Sequence, residues 1–347
     1  MMSKPILISG IQPTGRLHLG NYLGALKNFV GLQNSEKYKC YFFIADLHAL
    51  TENPNAKDLS ENILSLAADF LAAGLDPKKS IIFQQSRIES LQELKWILST
   101  ITPIGELMRM TTFKEKVLRA IKPSDQEKLT EKEFEKIAKG TNFGLAEYPV
   151  LMAADILIYD GQLVPVGKDQ LQHLEFARAM ARKFNSRFGE TFTEPRALMT
   201  ATPRLMSLDD PTKKMSKSRP AGCLFIDDSP EEIEKKIKAA VTDSGSEVKY
   251  DPKNKPGISN LLEIMAGLSD KTAPETEKQF TGMNYGEFKK SVSDYVANYF
   301  APFRKKKTGL IKKPAALKKV LFAGSAKAEK VAAKKISEVK EKVGLAI

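Results

Sequence analysis

Short apolar runs alternate with longer amphipathic stretches along the first hundred residues of the chain. Residues 5–9, 40–45 and 80–84 are apolar runs of strand length, and the first ends at Gly10. Helical periodicity follows each run, beginning near Gly20 and then over residues 59–73 and 91–99. Strands that alternate with helices are typical of a parallel sheet with helices on both faces. We therefore predict an α/β fold with a doubly wound parallel sheet.

The pattern changes after residue 100. Residues 119–140 are rich in Lys and Glu and show little apolar periodicity, which predicts a peripheral insertion. Residues 151–163 return to an apolar helical pattern. From Asp228 onward no strand pattern persists, and the composition becomes helical and lysine-rich. We predict an α/β unit over residues 1–227 and a helical unit over residues 228–347.

Composition narrows the functional class. Among 347 residues there are two cysteines and three histidines, and these histidines are far apart in sequence. A disulfide framework, an all-cysteine zinc site and a cysteine-bound iron–sulfur cluster are therefore excluded, and we predict no protein-bound metal. The chain has no secretory signal pattern and no run of eighteen apolar residues, so we expect a cytoplasmic protein without a membrane span.

Positive charge is concentrated near the C-terminus. The net charge is +12, and from Arg304 onward 14 basic and 3 acidic residues give a local excess of +11. Such a concentration fits contact with a polyanion. It also fits the solvated face of a helix, because Leu321, Val331, Ile336 and Val339 recur at roughly helical spacing. The two interpretations are compatible.

Two distant segments carry the candidate chemistry. The loop at residues 212–218 presents Lys214 and Lys217 with hydroxyl groups beside them, which suits a polyphosphate. Some two hundred residues upstream, a glycine-rich turn leads into a helix near Gly20, where free backbone amides bind anions. His18 and Asn21 add side-chain donors there. Together these groups would stabilise a pentacovalent phosphorus without an acid, a base or a covalent nucleophile.

Residues 10–25, GIQPTGRLHLGNYLGA, resemble the first signature of class I aminoacyl-tRNA synthetases, and residues 214–218, KMSKS, resemble the second. The likeness extends over about residues 5–300. It points to one family within the class, because further segments match the bacterial tryptophanyl-tRNA synthetases in the same order. These segments are residues 46–51, 113–116, 148–157, 164–170, 239–244 and 255–260.

The resemblance implies a Rossmann catalytic domain with an insertion over about residues 104–190, a helical anticodon-binding domain and a homodimer. It implies activation of L-tryptophan with MgATP, release of pyrophosphate, and transfer of tryptophan to the 3′ end of tRNA(Trp). The implied catalytic residues are His18, Asn21, Lys116, Lys214 and Lys217. The implied ATP-binding residues are Gln12, Pro13, Thr14, Gly20, Asn21, Gly167, Lys168, Asp169, Leu205, Lys214, Met215, Ser216, Lys217 and Ser218.

The implied tryptophan pocket centres on Asp155, which stands in an apolar segment where an unpaired carboxylate is costly. The residues alone favour a helix-capping or salt-bridged role for Asp155; the resemblance implies instead that it accepts a hydrogen bond from the indole N–H of tryptophan. The other implied pocket residues are Tyr148, Met152, His48, Val164, Val166 and Gln170. Ile8 replaces an expected phenylalanine, and Leu47 and Lys168 stand where Gln and Glu are common.

Three alternatives stay open at this point. A tyrosyl-tRNA synthetase shares the fold and the first step, although the block at residues 148–155 does not resemble that family. A small-molecule adenylyltransferase shares the histidine–glycine signature but is usually shorter. A non-catalytic RNA-binding relative has no physical need to keep His18, Asn21, Lys214, Lys217 and Asp155.

Overall fold

The sheet is built from parallel strands on both sides of β1. A computed structural model describes residues 4–110, 130, 142–200 and 204–346. In these ranges five strands pair in the order β3-β2-β1-β4-β5, and each pairing is parallel. The strands are β1 (Ile6–Ile11), β2 (Lys39–Ile44), β3 (Ser80–Gln84), β4 (Leu163–Val166) and β5 (Arg196–Met199). The predicted α/β, doubly wound fold is confirmed.

Helices connect the strands and cover both faces of the sheet. The helices of the α/β part are α1 (Leu19–Asn21), a π-helical turn (Tyr22–Leu26), α2 (Lys27–Asn34), α3 (Asp46–Ala49), α4 (Ala56–Ala73), α5 (Glu89–Thr100), α6 (Ile104–Met108), α7 (Phe143–Leu157) and α8 (Leu171–Phe188). The helices that follow β5 are α9 (Pro230–Lys238), α10 (Pro256–Ser269), α11 (Ala273–Glu277), α12 (Tyr285–Tyr299), α13 (Ala301–Ile311) and α14 (Pro314–Val343).

Alternate residues of each strand enter two different cores, as the pleat of a β-strand requires. Leu7 of β1 and Phe42 of β2 pack with α2, α4 and the late helices on one face. Ile8 and Tyr41, which are the sequence neighbours of Leu7 and Phe42, pack with α5, α7 and α8 on the other face of the sheet. Both faces are therefore buried, which explains why these strands read as continuous apolar runs in the sequence.

The apolar segment at residues 151–163 is not one helix, and this prediction was wrong. Helix α7 ends at Leu157, Asp160 adopts a left-handed φ of 50°, and the chain re-enters the sheet as β4. Gly161 allows the turn because a Cβ there would lie 2.7 Å from the side chain of Ile8. Strand β4 was missed because its apolar residues continue the pattern of the helix before it.

The C-terminal helices return to the α/β part. Helix α13 packs against α4, and α14 lies along the edge strand β3. Gly324 permits the close approach, since a Cβ there would lie 1.8 Å from the carbonyl oxygen of Ile82. The backbone N–H of Gln84 donates to Ser325 Oγ at 3.2 Å, which satisfies one edge-strand donor. None of the helices in the described ranges is long and apolar enough to cross a membrane.

Candidate active site

A cavity of about 340 Å³ opens at the carboxyl ends of β1 and β4. The strand order reverses between these two strands, and such a switch point is the usual ligand site of an open α/β sheet. Most of the residues that sequence reasoning assigned to the tryptophan pocket and the ATP site meet here. The predicted residues that line this cavity are Gln12, Gly20, Asn21, His48, Tyr148, Met152, Asp155, Val164, Val166, Gly167, Asp169, Gln170 and Lys214.

A second, larger cavity of about 1140 Å³ adjoins the first. The two cavities share Gly20, Asn21, Gly167, Asp169, Thr200 and Lys214. The larger cavity is also lined by His18, Leu205, Met215, Ser216 and Lys217. The smaller cavity thus adjoins a space to whose walls Lys214 and Lys217 contribute positive charge and Ser216 a hydroxyl group.

The first signature places His18 at the start of α1 as its N-cap. The backbone N–H of Asn21 donates to His18 Nδ1 at 3.2 Å, and the Asn21 side chain accepts from the His18 backbone N–H at 3.4 Å. Because Nδ1 accepts, a neutral His18 carries its proton on Nε2. Burial, together with the nearby charges of Lys217 and Lys214, lowers the pKa of His18 to about 4. His18 is therefore a neutral N–H donor at pH 7.

The second signature lies against the turn of the first. Lys217 Nζ is 3.2 Å from Thr14 Oγ1, 3.3 Å from the Thr14 carbonyl oxygen and 3.4 Å from that of Gly15. Burial lowers the pKa of Lys217. The loop is held by its buried Met215, whose backbone N–H donates to the carbonyl oxygen of Leu205 at 3.0 Å. This arrangement explains how the two signatures form one basic site.

Asp155 is buried on α7 and has polar partners. His48 Nε2 lies 2.9 Å from Asp155 Oδ2, and Gln85 Nε2 donates to both carboxylate oxygens at 2.8 and 2.7 Å. Burial raises the pKa of Asp155, while the hydrogen bonds from His48 and Gln85 act in the opposite direction. A carboxylate has about four acceptor positions, so these contacts leave one of them on Oδ1. That remaining position can accept a ligand's N–H.

Tyr148 lies two turns before Asp155 on α7, lines the same cavity and is paired with His173. The Tyr148 hydroxyl and His173 Nε2 are 2.5 Å apart, and burial lowers the pKa of His173. His173 therefore fixes the direction of the Tyr148 hydroxyl. Gln170, at the N-terminus of α8, completes the polar side of the cavity.

Sequence reasoning missed Gln85 and His173. Gln85 is fully buried, and its Oε1 accepts the backbone N–H of Leu47 at 3.1 Å, so its amide group points its NH₂ at Asp155. The adjacent Ser86 binds Asp46, with its backbone N–H donating to Oδ1 at 2.9 Å. A polar Gln-Gln-Ser sequence at residues 84–86, which begins at the last residue of the predicted strand, was the available signal, since ligands bind at that end of a strand.

Other predicted residues lie outside both cavities. Pro13 is buried, Thr14 contacts Lys217, and the hydroxyl of Ser218 is 2.9 Å from that of Ser216. Lys116 and the side chain of Lys168 lie outside the described part of the chain. In the part that is described, no group of three His, Cys, Asp or Glu side chains forms a metal site.

The chain is similar to known proteins over nearly its whole length. The model of the family described as "tRNA synthetases class I (W and Y)" matches residues 2–301. The tryptophan–tRNA ligase of Bacillus subtilis strain 168 is 42% identical over 348 residues, which cover 99% of this chain and 98% of that protein.

Two solved structures are similar over nearly the whole chain. The tryptophanyl-tRNA synthetase of Mycoplasma pneumoniae has a TM-score of 0.83 at 32% identity, covering 99% of this chain and 98% of that one. The Campylobacter jejuni enzyme, complexed with ADP and tryptophan, has a TM-score of 0.80 at 37% identity and covers 98% of this chain and 99% of that one.

Proposed function

The chain belongs to the class I tRNA synthetases of the tryptophan and tyrosine family, and we propose that it is a tryptophan–tRNA ligase. It activates L-tryptophan with ATP to tryptophanyl-adenylate and pyrophosphate, and then transfers tryptophan to the 3′ end of tRNA(Trp). The single observation that carries the choice of amino acid is buried Asp155 at the wall of the smaller cavity, with an acceptor position left open.

The smaller cavity holds the amino acid. Met152, Val164 and Val166 provide apolar walls for an indole ring, and Asp155 accepts its N–H. Phenylalanine would leave that buried acceptor unsatisfied, at a cost of about 1–3 kcal/mol. Rejection through a missing hydrogen bond requires no separate editing site. Tyr148, Gln170 and His48 address the polar end of the amino acid.

The larger cavity holds ATP. Gly20 and Asn21 approach the nucleotide from the first signature, and Gly167 and Asp169 contact its adenosine end. The loop that contacts the phosphates is shaped by Leu205, Met215, Ser216 and Ser218. The proposed set of ATP-binding residues is completed by Gln12, Pro13, Thr14 and Lys168.

Activation is the attack of the tryptophan carboxylate oxygen on the α-phosphorus of ATP, with pyrophosphate as the leaving group. The Nε2–H of His18 donates to phosphate oxygens, and Lys214, Lys217 and Lys116 neutralise the negative charge on the pyrophosphate that departs. Lys217 exchanges its present hydrogen bonds to Thr14 and Gly15 for phosphate oxygens when ATP binds. Mg²⁺ arrives with ATP and is held chiefly by the phosphates.

The proposed assembly is a cytoplasmic homodimer. Trp96 of α5, Ile104 of α6 and Phe143 of α7 are 70%, 75% and 73% exposed. Helices α5 and α6 both pack against α7, so these side chains belong to neighbouring surfaces. A second copy of the chain that covers this apolar face accounts for their exposure.

Cys40 and Cys223 are unpaired, as the reducing cytoplasm favours.

The deciding experiment is ATP–pyrophosphate exchange with each of the twenty amino acids supplied separately. We expect exchange with tryptophan. Exchange with tyrosine instead would keep the fold and the chemistry and overturn the role of Asp155. Exchange with none of the amino acids would point to a small-molecule adenylyltransferase or to an RNA-binding protein without catalysis.

Substitution of the carboxylate tests the pocket itself. In Asp155→Ala, tryptophan loses its hydrogen bond while phenylalanine loses nothing, so the preference for tryptophan should fall by about tenfold to a hundredfold. The measurement is the ratio of kcat/KM for the two amino acids in pyrophosphate exchange. An unchanged ratio contradicts the assignment, and Asp58→Ala, at an exposed position of α4 outside the cavity, is the control.

A further inference from the structure

The concentration of positive charge near the C-terminus lies on the outer surface of α13 and α14 and is not used by the site described above. Ten lysines of this segment are exposed: Lys305, Lys306, Lys312, Lys313, Lys318, Lys319, Lys327, Lys330, Lys334 and Lys342. In the described residues, the lysine ion pairs of this segment involve Lys307, Lys335 and Lys340. Within the part of the chain that the structure describes, the ten exposed lysines therefore carry charge that no carboxylate pairs with.

Three of these lysines share one face of α14. At about 100° per residue, Lys319, Lys330 and Lys334 fall within an arc of roughly 60° and extend over about 22 Å of the helix. We call Lys319, Lys330 and Lys334 the lysine face. The buried residues of α14, such as Leu321, Ala328 and Val339, centre on the opposite side of the helix. The lysine face consequently points directly away from the body of the protein.

Helix α14 is fixed in place, so the lysine face is pre-organised. Gly324 and Ser325 seat the helix on β3, as described above. Further along, Lys335 Nζ lies 2.8 Å from Asp160, and Lys340 Nζ lies 2.8 Å from Glu93. A rigid row of charges loses little conformational entropy of the backbone when it binds a polyanion.

The chemistry of this surface favours RNA over a membrane. An interfacial helix needs large apolar residues on its outward face. The large apolar residues of α14 are turned inward, and the exposed small residues are mainly alanines. The one large exception, Phe322, is 45% exposed and has the guanidinium of Arg87 over its ring at 3.7 Å.

We propose that the lysine face of α14 contacts the sugar–phosphate backbone of the tRNA and adds affinity without reading sequence. This inference rests on the proposed function, which supplies an RNA substrate. Because the contact is to phosphates, it serves any tRNA equally, and the choice among tRNAs is made elsewhere on the protein.

The test compares two triple variants with the same loss of charge. The first is Lys319→Gln/Lys330→Gln/Lys334→Gln, and the control is Lys37→Gln/Lys57→Gln/Lys78→Gln, three exposed lysines of the α/β part. The Kd for tRNA(Trp) and for an unrelated tRNA is measured by filter binding between 50 and 300 mM salt. Pyrophosphate exchange with tryptophan confirms that each variant is folded.

We expect the first variant to bind both tRNAs about tenfold less tightly at 150 mM salt, with a salt slope smaller by about 2 to 3. Its pyrophosphate exchange should equal that of the wild type, and the control should keep the wild-type slope. Equal slopes in the two variants would overturn the proposal, as would loss of binding to phosphatidylglycerol vesicles with tRNA binding intact. If the wild-type protein shows no exchange with tryptophan, it is the proposed function that fails.

Discussion

At the scale of single residues, Lys217, the last lysine of the loop at residues 212–218, is the lysine of this loop that contacts the first signature. Lys217 is within 3.4 Å of three oxygens of the first signature, whereas Lys213 is turned to Asp210 at 3.0 Å. Lys217 thus lines the larger cavity, which is the proposed ATP site, and Lys213 lines neither cavity.

Lys217→Ala should lower the rate of adenylate formation by about 10²–10³-fold and leave the Kd for tryptophan nearly unchanged, because the lost charge acts on the phosphates in the transition state. Single-turnover kinetics and calorimetry measure the two quantities. Lys213→Ala is the matched control. An unchanged rate in Lys217→Ala would remove this lysine from the mechanism.

Gln85 is proposed to act on tryptophan binding through Asp155 and not by direct contact with the substrate. Its NH₂ group favours the ionised form of Asp155, so Gln85→Met should raise the pKa of that carboxyl. Since the ionised carboxylate is the proposed acceptor for the indole N–H, tryptophan binding in the variant should begin to weaken at a higher pH than in the wild type when the pH is lowered over the range in which the protein stays folded. Calorimetric Kd values across this range measure the effect.

A purely structural role for Gln85 would weaken tryptophan binding equally at every pH. The control is Gln84→Met, because Gln84 donates to Asp46 at 2.7 Å and does not touch Asp155. A pH profile of Gln85→Met that parallels the wild type would contradict the proposed positioning role.

At the scale of elements, a chain of charges joins the first signature to the late helices. Arg16 lies 2.7 Å from Asp227 and 2.8 Å from Asp228, in the segment that follows the lysine loop. Lys307 of α13 lies 2.8 Å from Asp227 and 2.7 Å from Asp69 of α4. Asp69 is buried, and its burial raises its pKa to about 6.

Lys307→Met should destabilise the folded chain by about 3–5 kcal/mol, because it leaves the Asp69 carboxylate buried without its counter-ion. The double variant Lys307→Met/Asp69→Leu should recover most of this loss. Urea unfolding of the three proteins measures the differences. A double variant as unstable as the single one would contradict this account.

The stability that Lys307→Met loses should depend on pH in a definite direction. Asp69 binds its proton more tightly in the folded chain than in the unfolded chain, so protonation favours folding. Because Lys307 lowers the pKa of Asp69 in the wild type, its removal should raise that pKa further, and the deficit of Lys307→Met relative to the wild type should shrink as the pH falls from 8 to 5.

The helices and strands also differ in how well the sequence predicts them. β1, β2 and β3 were predictable because turns separate their apolar runs, and α14 because its apolar residues recur with helical spacing. β4 was not, since its four residues continue the apolar pattern of residues 151–157 and only the turn at Asp160 and Gly161 separates them. The link from Gln85 to Asp155 joins residues 70 positions apart, which no local pattern reports. The predicted domain boundary near residue 228 stays a prediction.

At the scale of the whole molecule, the apolar face at Trp96 offers an internal probe of assembly. Trp96 is the only tryptophan of the chain, so intrinsic fluorescence excited at the indole band reports on this face alone. If a second copy covers it, the emission of the protein should shift to longer wavelength on dilution as Trp96 becomes hydrated.

Trp96→Glu should weaken the proposed homodimer at least tenfold, because it would place a charge in an interface that is proposed to bury apolar surface. Sedimentation velocity over a series of protein concentrations measures the change. Leu345→Glu is the control, since Leu345 is 57% exposed near the C-terminus and the same charge there should leave the association unchanged. Equal sedimentation of Trp96→Glu and the wild type at all concentrations would show that this face is not the contact between subunits, and the exposed side chains of α5, α6 and α7 would need another partner.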